Sequence, residues 1–279
     1  MKSFENKVAA ITGAGSGMGR TLALRLAQEK CHLALSDVNE AGLAETVQLA
    51  SQYGVKVTSK KVDVAQREAM YAWADEVVRD HGKVNLIFNN AGVAVGATVE
   101  GISYEDFEWI VGINFWGVVY GTKAFLPHLK ASGEGHIVNT SSVFGLAGIP
   151  SQSAYNSTKF AVRGFTEALR QELDLAGGKV SATSVHPGGI KTNIARAARM
   201  SKSIRDIGLD DEKGSEKFEK LFMTTADSAA KTILDAVRRN KRRVLVGPDA
   251  YVFDLLVRLL PTGYQRITSG FARASMKKK

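Results

Sequence analysis

Tyr155 and Lys159 stand four residues apart in Tyr155-Asn156-Ser157-Thr158-Lys159. On a helix that spacing puts a phenol and an amine on one face. A free tyrosine has a pKa near ~10 and is a feeble base at neutral pH. An ammonium close by favours the phenolate and lowers that pKa, which would let the phenol exchange a proton with an alcohol or ketone. The spacing alone is weak evidence, because most such pairs are solvated helix faces. Ser142 adds to it. It closes the run His136-Ile137-Val138-Asn139-Thr140-Ser141-Ser142, whose apolar β-branched centre reads as a short buried strand. In open parallel α/β sheets chemistry gathers beyond the carboxyl ends of the strands. A serine there could hydrogen-bond a substrate oxygen, or simply turn the chain.

The N-terminus offers a second anchor. Lys7 to Thr12 reads as a buried strand, Gly13-Ala14-Gly15-Ser16-Gly17-Met18-Gly19 follows, and an apolar-periodic helix runs on through Leu22, Leu26 and Ala27. Strand, glycine turn and helix form the order that cradles a pyrophosphate against a helix N-terminus. The spacing is T-G-x-x-x-G-x-G rather than G-x-G-x-x-G. Asp37 closes a second strand, His32 to Ser36, where a carboxylate can accept hydrogen bonds from ribose hydroxyls and would repel a 2′-phosphate. A turn-forming aspartate before Asn39 is the plainer reading.

With Asn89-Asn90-Ala91-Gly92 and Pro187-Gly188 added, the chain resembles the short-chain dehydrogenase/reductase family over about residues 5–247. The resemblance implies a single-domain α/β fold, a Rossmann-like doubly wound parallel sheet of about seven strands. It implies a nicotinamide cofactor, with NAD favoured over NADP by Asp37 and by the lack of a basic residue at Ala14, Ser16 and Val38. Gly13, Ser16, Gly17, Met18 and Gly19 would hold its phosphates, and Asp63 and Val64 its adenine. Asn90, Ala91 and Gly92 would line the cofactor cleft, while Pro187, Gly188, Ile190 and Thr192 would embrace the nicotinamide end. Tyr155 becomes the general acid/base, Lys159 its tuning partner on the nicotinamide ribose, and Ser142 the anchor of the substrate oxygen. Asn114, otherwise unfavourable in an apolar helical run, would support a water-linked proton relay. Residues 193–225 fall at the family's substrate lid. Relatives often pair as dimers or tetramers through the tyrosine-bearing helix and the helix before it.

These residues need elements to hold them. Strands are expected at Val55–Val62, Val84–Phe88, Val180–Val185 and Val244–Val246, with helices near 39–52, 66–80 and 227–239 and a long one from Ser103 to about Lys130. That alternation implies βαβ units. The boundaries expected are a catalytic domain over 1–248 and a basic amphipathic extension over 249–279. Hydrophobic residues make up 44% of the 279, ample for a core. Cys31, the lone cysteine, reads as a core residue and can form no internal disulfide. No metal-ligand spacing stands out. The N-terminus lacks a signal-like apolar stretch, so the cytoplasm is the default location.

Charge is unevenly placed. Residues 231–279 hold 12 Lys+Arg against 3 Asp+Glu, a net +9 equal to that of the whole chain. No nucleic-acid motif accompanies this charge. Such a segment can rest on a membrane surface, cover a neighbouring subunit, or stay a frayed, solubilising tail. The lid mixes Ile194, Met200, Ile204, Ile207, Phe218, Leu221, Phe222 and Met223 with charges. An amphipathic lid favours an apolar alcohol or ketone as substrate. The expected activity is hydride transfer between a nicotinamide and a secondary alcohol or ketone. The alternatives are an NADPH-dependent reductase of 3-oxoacyl or steroid-like ketones, and a catalytically silent NAD(P)-binding regulator or scaffold.

Overall fold

Seven parallel strands form the central sheet: β1 Val8–Thr12, β2 His32–Asp37, β3 Val57–Lys61, β4 Leu86–Asn89, β5 Gly135–Thr140, β6 Val180–Pro187 and β7 Arg243–Val246. The computed structural model describes residues 1–209 and 222–276. Strand order is β7-β6-β5-β4-β1-β2-β3. The order reverses between β1 and β4, and a crevice opens at such a switch point. The expected strands at 55–62 and 84–88 are present with trimmed or shifted ends.

Both faces of the sheet are covered, which explains why its central strands are almost continuously apolar. Successive side chains alternate between the two cores. Ala9, Ile11, Leu33, Leu35 and Phe88 pack beneath α1 (Gly17–Gln28), α2 (Glu40–Ser51) and α7 (Ala226–Arg238). Val8, Ala10, Ala34, Ile87 and Ile137 pack against α3 (Arg67–His81), α5 (Gly117–Ala131) and α6 (Ser153–Leu175). Cys31 is buried in the first of these cores.

One polar ladder crosses the second core. Asn89 Nδ2 donates to Asn139 Oδ1 at 2.8 Å and to Thr122 Oγ1 at 3.2 Å, and Asn139 Nδ2 donates to Thr166 Oγ1 at 3.0 Å. Asn89 and Asn139 are register partners on β4 and β5.

The long helix expected from Ser103 is interrupted. α4 (Tyr104–Val111) runs into a π-helical turn, Gly112–Trp116, before α5 begins. Such turns shift the helical face by one residue and often mark functional sites; this one carries Asn114. After β7 come α8 (Pro248–Leu259) and α9 (Tyr264–Met276).

Candidate active site

The glycine loop after β1 is built as a tight cradle. Gly13 takes φ +64, and a Cβ there would lie 2.8 Å from the Ala91 Cα. A Cβ at Gly19 would overlap the Gly13 carbonyl oxygen. Only glycine permits this approach of loop, helix and neighbouring strand end. Ser16 precedes α1 in extended conformation and makes no side-chain cap bond, so the first-turn N–H groups are left for another acceptor. Thr12 Oγ1 accepts the Asn90 and Ala91 N–H groups at 3.0 Å each, and Asn90 Nδ2 donates to the Thr12 carbonyl at 3.1 Å. The ends of β1 and β4 are thereby tied together at the switch point. Asp37 Oδ2 accepts the Gly15 N–H at 2.8 Å and its Oδ1 the Asn39 N–H at 2.9 Å. Its carboxylate therefore faces the glycine loop, where a ribose would lie. Val64 is buried and packs on Gly117, whereas Asp63 is exposed and accepts the Ala65 N–H at 3.0 Å. Close-packed glycines, uncapped N–H donors and a facing carboxylate fit a dinucleotide.

The residues expected to handle the proton converge beyond β5. Ser142 caps a short 3₁₀ turn, Val143–Gly145, its Oγ accepting the Phe144 N–H at 3.1 Å. Tyr155 and Lys159 share one face of α6, the Lys159 ammonium lying 5.5 Å from the phenol ring centroid. Lys159 is buried, and its Nζ donates to the Thr140 carbonyl at 3.0 Å. A Cβ on Gly92 would lie 3.5 Å from that Nζ and 3.3 Å from Asn114 Oδ1. The loop after β4, the π turn and α6 thus meet at one point. Asn114 accepts the Val93 N–H at 2.8 Å, and its Nδ2 donates to the Val93 carbonyl at 2.9 Å and to Thr158 Oγ1 at 3.3 Å.

The electrostatics correct one expectation. Loss of water around its hydroxyl pushes the Tyr155 pKa up to about 12, with a hydrogen bond to Ser142 acting the other way. Burial pushes Lys159 down to about 8. Desolvation, rather than the neighbouring ammonium, dominates the phenol, because both groups sit in low dielectric where either charge is disfavoured.

The segment expected at the nicotinamide end, Pro187–Thr192, continues β6. Gly188 N–H donates to the Val246 carbonyl at 2.9 Å, and Ile190–Lys191 pairs with Thr224–Thr225. The Thr192 methyl would lie 3.1 Å from a Cβ on Gly17, so this segment closes over the cradle. At the start of the expected lid, Arg199–Met200 pairs with Val95–Gly96. Arg199 bonds Asp106 at 2.7 Å and stacks 3.6 Å from the Trp109 ring centroid. Ile204 and Phe222 are buried, while Ile207 and Met223 are exposed. Phe218 and Leu221 lie outside the described residues.

Three supports escaped the sequence reading. Arg20 donates to the Gly15 carbonyl at 2.6 Å and to the Gly42 carbonyl at 3.2 Å, bracing the glycine loop from behind. Thr46 Oγ1 donates to the Ala14 carbonyl at 2.8 Å. His186 Nδ1 lies 3.1 Å from the Ser142 carbonyl, which can only accept, so Nδ1 carries the proton and Nε2 accepts from Ser184 Oγ at 3.0 Å. The H-P-G order of residues 186–188 was the one signal that could have exposed His186.

The comparisons with known proteins agree with this geometry. The short chain dehydrogenase family model matches residues 7–203. SadH of Mycobacterium tuberculosis, named as an oxidoreductase, is 52% identical over 270 residues, covering 96% of each chain. A cyclohexanol dehydrogenase from Acinetobacter sp. is 39% identical over 193 residues, 68% of this chain and 76% of its own. The crystal structure of a short chain dehydrogenase/reductase from Burkholderia phymatum in complex with NAD superposes with a TM-score of 0.86 at 33% identity, covering 94% of this chain and 96% of that one. Among the described residues, no helix is long and apolar enough to cross a membrane. Sequence match, sheet order and the meeting of Ser142, Tyr155 and Lys159 lead to one conclusion: the chain is an oxidoreductase belonging to the short-chain dehydrogenase/reductase family.

Proposed function

We propose that the protein is an NAD-dependent dehydrogenase interconverting an apolar secondary alcohol and its ketone. The observation that carries this reading is the convergence of Ser142, Tyr155 and Lys159 beyond β5, beside the Gly92 loop. Bound NAD(H) would take up or supply the hydride. Ser142 would hold the substrate oxygen with its hydroxyl. Tyr155, protonated at neutral pH, would give its proton to a carbonyl oxygen in reduction, and as the phenolate would take the alcohol proton in oxidation. Lys159 would stabilise the phenolate left behind and, with Asn114 and Thr158 beside it, hold α6 against the Gly92 loop. Alcohol oxidation should therefore accelerate as pH rises, and ketone reduction as it falls. Replacing the general acid/base should lower turnover by about 100-fold or more. Tyr155→Phe is accordingly expected to lose turnover while NADH affinity, titrated by fluorescence, is unchanged. Near-wild-type rates in that variant would overturn the reading.

The substrate class is supported by the apolar lid residues Met200 and Phe222 and by likeness to a cyclohexanol dehydrogenase. The lid reading of residues 193–225 rests on the family resemblance; Arg199–Met200 pairs with Val95–Gly96, and residues 210–221 lie outside the described residues. Each added methylene should strengthen binding by up to ~0.8 kcal/mol until the pocket fills. A series from 2-butanol through cyclohexanol to larger rings should show rising kcat/KM, with xylitol poor. A flat profile would remove the substrate assignment.

The same reading includes self-association and contact with an anionic lipid surface. Trp116 on the π turn, 44% exposed, stacks on Tyr120 of α5 at 5.6 Å, and Phe160 on α6 is 40% exposed. Val252 (65% exposed) and Leu259 (69%) lie on α8, within the basic C-terminal part. An apolar helix face flanked by cations suits anionic lipid. Sedimentation with phosphatidylglycerol vesicles, against phosphatidylcholine, tests the second; light scattering tests the first.

A further inference from the structure

The segment after β7 lies outside the residues matched by the family model, yet it grips the site at two separate points. The first is Asp249, at the start of α8. Its Oδ2 accepts the Gly189 N–H at 2.6 Å, sixty residues away in sequence. A Cβ on Gly188 would overlap this carboxylate, and a Cβ on Gly247 would lie 2.6 Å from its Oδ1. Oδ1 itself is buried without a hydrogen-bond partner. Leaving a buried carboxylate oxygen unpaired is unfavourable, so the close packing of Asp249 among glycines is a specific arrangement. The turn it fixes is Pro187–Gly189, the nicotinamide-end segment.

The second point is Tyr264, at the start of α9. It is buried, and its Oη accepts the Gly148 N–H at 3.0 Å across 116 residues of chain. Gly148 belongs to the loop between Ser142 and Tyr155. The rest of that loop is held from inside by Asn156, whose Nδ2 donates to the Phe144 and Ala147 carbonyls at 2.7 and 2.8 Å while its Oδ1 accepts the Ile149 N–H at 3.1 Å. The same loop reaches Gln152, which bridges to Ala97 beside the Met200 contact. Tyr264 is thus the outer fastening of a loop whose inner fastening is the residue after the proposed acid/base.

We propose that residues 248–264 form a brace with two independent ends, in which Asp249 positions the cofactor-side turn and Tyr264 positions the substrate-side loop. Both are positioning residues, acting through Gly189 and Gly148. The proposal rests on the dehydrogenase reading for what those two sides bind. Separate attachment predicts separate effects. Tyr264→Phe removes one acceptor and keeps the ring, so KM for the fastest alcohol of the series should rise about fivefold with kcat within about twofold and NADH Kd unchanged. Asp249→Ala should weaken NADH about tenfold, and Asp249→Asn, which keeps an oxygen for Gly189, should restore most of that. Hydrogen exchange supplies a readout without turnover: Tyr264→Phe should speed exchange at 144–150 alone, and either Asp249 variant at 187–191 alone. If Asp249→Ala does not fold, Asp249→Asn and the exchange data decide. Exchange that speeds at both segments in either variant, or at neither, would overturn the brace, as would a changed NADH Kd in Tyr264→Phe. Activity in Tyr155→Phe would instead remove the dehydrogenase reading and leave the exchange and NADH results standing.

Discussion

The glycine cradle and the C-terminal helices are held by different kinds of contact. Around the cradle, Asp37, Arg20 and Thr46 all bond the backbone of residues 14–15, and none lies more than 32 residues from its partner. In α8 only Ala250 is buried, and attachment depends on single side chains: Asp249, Asp254 paired with Arg243, and Tyr264 just beyond. A cradle made of short-range backbone demands leaves a motif in the sequence. A segment fastened by isolated long-range bonds leaves none, and Val252, Leu255 and Leu259 on it are exposed.

The largest expected effect breaks the cradle outright. Gly19→Ala would drive a methyl into the Gly13 carbonyl and within about 2.8 Å of Asn90 Nδ2. Forcing such a shift costs roughly 1–3 kcal/mol or more, so NADH affinity should fall about 100-fold. Fluorescence titration checks this, and intact affinity would show the cradle to be looser than its contacts indicate.

Acid should next destabilise the fold through two histidines of the sheet. Burial pushes His136 down to about 3 and His186 down to about 4. His136 Nε2 donates to Thr183 Oγ1 at 2.7 Å, that hydroxyl having given its own proton to the Lys241 carbonyl. Both rings are neutral in the fold but take a proton when unfolded below about 6.5. Stability is therefore fully present above pH 6.5 and is lost as pH falls toward 4, by about 1.4 kcal/mol per pH unit for each histidine. His136→Asn should flatten the dependence of Tm on pH in that window; an unchanged slope would exclude His136 as a source.

Asp37→Ala should narrow the preference for NADH over NADPH by about tenfold, through lost ribose hydrogen bonds and lost repulsion of a 2′-phosphate. Parallel titrations of both reduced cofactors measure it, and tighter NADPH binding by the wild type would reverse the assignment. The smallest effect sharpens the contrast from the other side. Leu259→Ser, on the exposed face of α8, should change stability by less than about 0.5 kcal/mol while reducing vesicle sedimentation.

The sheet and the residues that meet in the candidate site were readable from the sequence because buried parallel strands are written as apolar runs and the cradle as glycines at fixed spacing. Three features were not. The π turn at Gly112–Trp116 leaves an apolar helical pattern intact, so a single helix over Ser103–Lys130 was the natural expectation. The direction of the Tyr155 shift depends on water excluded by the surrounding chain, which no spacing reveals. Asp249 and Tyr264 read as an acidic helix start and an amphipathic tyrosine, because their partners, Gly189 and Gly148, are far away in sequence.

The Asn89–Asn139 pair bears on how the chain finds its sheet. β4 and β5 are fifty residues apart at this pair, and parallel strands so separated must meet through slow, non-local search. Ile87 and Ile137 share the face of these two asparagines, and Phe88 and Val138 make the opposite face apolar as well, so apolar packing alone tolerates neighbouring alignments. A slip by one residue would set Asn89 opposite Val138 or Thr140 and turn the asparagine of the moving strand away from its amide partner. Misaligned encounters would then bury bare amides and dissolve, while the correct one closes the Thr122–Asn89–Asn139–Thr166 chain. Asn139→Val should leave a folded protein that refolds more slowly, with a larger misfolded fraction, as mispaired intermediates lose their penalty.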